Sequence, residues 1–168
     1  MEIQLSLALP RDKLSVPVVR RICAHAMRSL GVEEECGRDV EVALTEACTN
    51  VLDHAAEGDE YEVAIGIDDR MCVIEVIDTG RGFDHTSFPV TRDVAPTAEE
   101  GRGILLMQAL VDRVEFNSRP ETGTICHLEK DLVWTDGSPI KVLTENHAPT
   151  ERGPWSSRRG ERGSAPAR

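Results

Sequence analysis

Apolar and polar residues alternate through EIQLSLAL, residues 2 to 9, and meet Pro10, which predicts a half-buried strand ending in a turn. The period then changes to that of a helix. Ser15 as N-cap, Pro17 near the start and Gly31 just past the end bracket VVRRICAHAMRSL, predicting a first helix over about 16–30. A longer helix is expected over 33–56, where Val40, Leu44, Ala47, Cys48 and Val51 recur at helical spacing and form a core face. EVAIGI and CVIEVI, joined across DDR, read as a hairpin. From Thr79 to about Arg102 the chain is rich in Gly, Thr, Asp and Pro, too long for an ordinary connection and suited to a lid or another functional loop. A Gly101-Arg102-Gly103 turn leads into a short helix, ILLMQALV, and RVEFNS and TICHLEKDL follow as two strands. This order predicts an α+β fold: a two-layer sandwich with a mixed, mostly antiparallel sheet covered on one face by helices. Beyond Val133 the pattern decays, so the expected division is a domain over 1–133 and a disordered tail over 134–168.

Charge sharpens this picture. The 168 residues carry a net charge of -11, against the clustered Lys and Arg that a DNA- or RNA-binding surface needs. Residues 151–168 hold five Arg and two Glu, a net +3 that leaves -14 on the remainder. A basic arm for nucleic acid is the rival reading of that tail, disfavoured by its shortness and scarce aromatic content. Cys23, Cys36, Cys48, Cys72 and Cys126 are scattered without a Cys-x-x-Cys pair, which suggests buried, reduced thiols and a cytoplasmic protein. No apolar run approaches the roughly 20 residues of a membrane span, and MEIQLSLALP lacks the basic start of an export signal.

The second helix raises a question of chemistry. At ~100° per residue, Glu46, Asn50 and Asp53 share one sector with His54 at its border, apart from the core stripe. By itself such a stripe is the solvated face of an amphipathic helix. Yet a carboxylate can act as a base, and an amide oxygen is a hard ligand suited to Mg²⁺. Asp78 then ends an apolar strand, with Gly80 and Gly82 following; an Asp there can accept a hydrogen bond from an exocyclic amine, although a strand-ending turn explains it equally. Gly101-Arg102-Gly103 opens a helix whose free N–H groups suit phosphate. Thr122-Gly123-Thr124 begins a late strand and offers hydroxyls to a base edge. Neither the P-loop nor the Rossmann glycine spacing is present.

Taken in order, Glu46-x-x-x-Asn50, Asp78-x-Gly80-x-Gly82, Gly101-Arg102-Gly103 and Thr122-Gly123-Thr124 resemble the ATP-binding domain shared by gyrase, Hsp90, histidine kinases and MutL. The small size is most similar to the bacterial anti-sigma-factor serine kinases of the RsbW and SpoIIAB type, over about residues 2 to 131. The resemblance implies a Bergerat-type ATP-binding fold with ATP and Mg²⁺ as cofactors. Glu46 would be the general base, and Asn50 the protein ligand of the metal. Asp78 would read the adenine amine, and Gly80 and Gly82 would admit the base. Gly101, Arg102, Gly103 and Ile104 would hold the nucleotide beneath a lid of about residues 84–100. Asp53, His54 and Thr124 would line the pocket. The implied partners are an alternative sigma factor, a STAS-type antagonist phosphorylated on serine, and a second copy in a homodimer.

A binding module that keeps the ATP pocket but acts by partner exchange, without phosphorylation, is the main alternative. A detached histidine-kinase catalytic domain is a third reading. It is weakened because no histidine has a phosphoacceptor context, and because His25 and His127 lie in apolar patterns where packing in the core is expected.

Overall fold

A computed structural model describes residues 2–54, 60–78, 99–119 and 123–146. The elements run β1 (Glu2–Pro10), α1 (Ser15–Leu30), α2 (Glu34–His54), β2 (Glu60–Asp68), β3 (Met71–Asp78), α3 (Glu99–Leu110), β4 (Arg113–Arg119), β5 (Gly123–Asp131) and α4 (Pro139–Asn146). The strands form one sheet in the order β1-β2-β3-β5-β4. Every described pairing is antiparallel, so the sheet has no parallel component where the sequence allowed a mixed one. The α+β class stands.

Alternation along the strands selects the core face. Tyr61, Val63, Ile65 and Ile67 of β2, Cys72, Ile74 and Val76 of β3, and Cys126 and Leu128 of β5 point to the helices. There they meet Val19, Cys23 and Met27 of α1 and Val40, Leu44, Ala47, Cys48 and Val51 of α2. Each large aliphatic chain so buried contributes on the order of 1.5–3 kcal/mol. All five cysteines are buried and free. Burial pushes the Cys23 and Cys48 thiols up to about 12, which makes them apolar filler, not nucleophiles.

Several local expectations change. Ser15 is not the cap of α1: Leu14 holds that position without a side-chain cap bond, and Ser15 is the first helical residue. Its hydroxyl is drawn instead to the Asp12 carbonyl and to the buried Tyr61 hydroxyl, each at 2.7 Å. Gly31 does end α1, with a left-handed φ of 83°, as its lack of a Cβ permits. Residues 134–146, assigned by their weak patterning to the tail, carry defined structure. Trp134 bridges to Val32, and Thr135 donates from both its N–H and its hydroxyl to the Gly31 carbonyl. Ile140 of α4 is fully buried, so one apolar side chain anchors a segment whose composition looks like linker. Residues 147–168 lie outside the described residues.

The two histidines expected in the core are elsewhere. His25 is exposed on α1, while His127 is buried on the helix-free side of the sheet. There its Nδ1 lies 3.3 Å from Glu75 and its Nε2 3.0 Å from Glu129, with Glu115 as its register neighbour on β4 and Arg113 beside Glu129. Burial opposes the imidazolium, but the hydrogen bonds to Glu75 and Glu129 outweigh it and raise the pKa above 6.5. A raised folded-state value adds stability below the unfolded pKa that is lost as pH rises through the folded one. Urea unfolding should therefore show His127→Gln more destabilising at pH 5.5 than at pH 8.5. Equal losses at both would remove the charge from this account.

Candidate functional site

The site forms where α2 and α3 lie side by side. Lys130 of β5 donates to Asp39 Oδ2 near the start of α2, at 3.1 Å, and to the carbonyl of Leu110 at the end of α3, at 2.6 Å. At the other end of the pair, Gly103 of α3 faces Glu46 and Asn50 of α2, so the helices run antiparallel. A Cβ on Gly103 would stand 2.8 Å from Glu46 Oε2 and 3.5 Å from Asn50 Oδ1. Glycine leaves the Glu46 carboxylate its place, which a methyl would push aside, while the Asn50 distance is an ordinary van der Waals contact. Glu46 and Asn50 are half-buried, whereas Ala43, Leu44, Ala47 and Cys48 of the same helix are buried in the core. At Glu46 and Asn50 the polar stripe is therefore a helix–helix boundary. Thr45 and Thr49, beside the two site residues, bond back to the carbonyls of Glu41 and Thr45, at 2.7 and 2.8 Å. They satisfy their hydroxyls without intruding on the stripe.

Gly101, Arg102 and Gly103 are not a turn before the helix, as the sequence suggested, but its third to fifth residues. Periodicity placed the start at Ile104 because glycine is a poor helix former, and packing against α2 overrides that preference. Gly101 and Arg102 still fall in the first turn of the helix, at the positive end of its dipole. Gly101 is buried and Arg102 exposed. The Ile104 side chain packs against the core.

The sheet brings two more expected residues together. Asp78, last in β3, is the direct register partner of Thr124 on β5 and of Tyr61 on β2. Tyr61, the one tyrosine of the chain, was not singled out from the sequence. Its hydroxyl holds Ser15 at 2.7 Å, and burial, the largest effect, pushes its pKa up to about 12. It ties the start of α1 to the strand beside Asp78. A lone buried tyrosine opening a strand was its only trace in the sequence. Asp53 is exposed at the end of α2, and His54 is its last residue. Gly80, Gly82 and most of the expected lid lie outside the described residues.

Hard oxygen donors on one helix and glycines at the N-terminal end of the facing helix suit a magnesium nucleotide. The family model for the histidine kinase-like ATPase domain matches residues 9–130, and the chain belongs to that family. Among its relatives are the serine-protein kinases RsbW of Bacillus thuringiensis (strain Al Hakam) and Bacillus cereus (strain AH820). Each is 26% identical over 151 residues, covering 83% of this chain and 94% of the relative. The crystal structure of the RsbU and RsbW domains of Rv1364c from Mycobacterium tuberculosis shares the fold, with a TM-score of 0.59 and 19% identity. That match covers 77% of this chain and 32% of the longer one. No described helix is long and apolar enough to cross a membrane.

Proposed function

We propose that this protein is an ATP-dependent serine/threonine kinase and anti-sigma factor. It holds an alternative sigma factor and phosphorylates a STAS-domain antagonist on serine, acting as a cytoplasmic homodimer. The observation that supports the kinase reading is the convergence of Glu46 Oε2 and Asn50 Oδ1 on Gly103 near the start of α3; in this reading the first is the base and the second the metal ligand. The RsbW relatives, named serine-protein kinases, support the reaction type.

In this mechanism the carboxylate of Glu46 accepts the proton of the antagonist's serine hydroxyl as its oxygen bonds to the γ-phosphorus. The bond from that phosphorus to the ADP oxygen breaks, and ADP leaves with the electron pair. Asn50 would hold Mg²⁺, and the ion would neutralise phosphate charge. The N-terminal end of α3, where Gly101 and Arg102 lie, receives phosphate oxygens, with Gly103 and Ile104 completing that wall. Asp78 accepts the adenine amine, with Thr124 opposite it and Gly80 and Gly82 admitting the base. Asp53 and His54 border the pocket.

Incubating the protein with Mg²⁺, labelled ATP and a STAS-domain antagonist should place label on an antagonist serine. ATP bound without any transfer would sink the kinase and leave a module working by partner exchange. Gly103→Ala offers a sharper check. The added methyl displaces the Glu46 carboxylate, a flexible end that can yield, while alanine favours the helix by about 1 kcal/mol. Transfer should slow roughly 10-fold or more, as expected of a misplaced base, with the melting temperature unchanged or higher. Full-rate transfer by this variant would mean that Glu46 works from another position.

A further inference from the structure

The sheet face turned away from the helices has an acidic character that the nucleotide site does not use. Residues there alternate with the core positions: Glu62 on β2, Glu75 on β3, Glu115 on β4, and Glu129 and Asp131 on β5. The cations set against them on these strands are Arg113, paired with Glu115 and Glu129, His127, between Glu75 and Glu129, and Arg119, which its register at the end of β4 puts on the same face. Apolar side chains lie among the charges. Met71 and Val73 are each 9% exposed yet stand outside the core cluster, because they point to this face. None of the described helices packs on it.

We propose that this face is the docking surface for the chain's own C-terminal segment, residues 147–168. The charges are complementary: residues 151–168 hold five Arg against two Glu, while the rest of the chain is at -14. The segment also carries Trp155, a large amphipathic side chain matched to the apolar floor at Met71 and Val73. Reach is sufficient. The described chain ends at Asn146 of α4, which packs on α1 in the helix layer. The 22 residues beyond it span up to ~75 Å when extended, against a domain radius of gyration of ~15 Å. A second copy is a poorer occupant, since a two-fold pairing of this face would bring together two surfaces of the same net negative charge. Exposed ion pairs are individually weak and screened by salt, so docking should be strong at low ionic strength and released near 0.5 M salt.

The test uses the full chain. Trypsin cleavage at Arg158 and Arg159 should be roughly 10-fold slower at low salt than at high salt, as expected for several weak ion pairs acting together. The Glu62→Lys/Asp131→Lys variant should cleave fast at both. Adding Arg158→Glu/Arg159→Glu to it should restore the shielding, read at Trp155 through acrylamide quenching in a Trp134→Phe background. Charge variants that change nothing at any salt would overturn the proposal. Shielding that scales with protein concentration would overturn it too, by showing that the face takes a second chain.

Discussion

Glu46→Gln should leave Mg-ATP binding intact and reduce phosphate transfer by roughly 10²- to 10⁴-fold, the usual contribution of a positioned general base. Glutamine keeps the length and the polar end of the side chain, so the half-buried boundary between α2 and α3 stays filled and Gly103 keeps its neighbour. What is lost is a charge and a proton acceptor. The charge faces a site proposed to hold a polyanion, so removing it lessens repulsion of the phosphates. Affinity for Mg-ATP should therefore stay level or rise while transfer collapses. Calorimetry with Mg-ATP beside single-turnover transfer to the antagonist separates the two quantities. Transfer that persists within a few-fold of the native rate would show that the serine proton goes elsewhere, and would leave Glu46 as a structural member of the helix boundary.

The polar stripe was legible in the sequence because helical spacing is a strong local signal. Glu46 and Asn50 sit one turn apart, and no packing preference competes with that geometry. The hairpin of β2 and β3 was equally plain, since alternation and a short turn are both local. The meaning of Gly103 was not legible. Two glycines ahead of an apolar run read as a turn, and the close approach of Gly103 to the Glu46 carboxylate is a contact between helices that local pattern does not carry. The same limit hid α4. Its anchors are a bridge from Trp134 to Val32 and one buried isoleucine, contacts made across about a hundred residues. His25 and His127 show how burial can mislead on both sides: one apolar-looking pattern faces solvent, and the other faces a pair of carboxylates outside the core. Local periodicity carried elements and faces; long-range contacts decided which face meets what.

Asn50→Ala should lower Mg-ATP affinity at least roughly 100-fold, because it deletes the one protein oxygen proposed to hold the metal. The fold should not suffer. Asn50 is half-buried on the stripe, with its Oδ1 directed at the Gly103 contact, and alanine is the better helix former by roughly 0.5 kcal/mol. A melting temperature at or above the native value would therefore accompany the loss of binding. The informative measurement is how affinity depends on magnesium. In the native protein ATP should bind tighter with Mg²⁺ than with a chelator present, and in Asn50→Ala that difference should vanish. Asn50→Asp keeps a hard oxygen but adds a negative charge near the phosphates, so part of the Mg²⁺ dependence should return while overall affinity stays below native. The comparison with Glu46→Gln is decisive. Both residues lie on one helix face and both meet Gly103, so a general disturbance of the boundary would harm them alike. Separate roles require that one variant lose the metal-dependent affinity and the other lose transfer alone. Equal Mg-ATP affinities in the two variants would contradict Asn50 as the metal ligand.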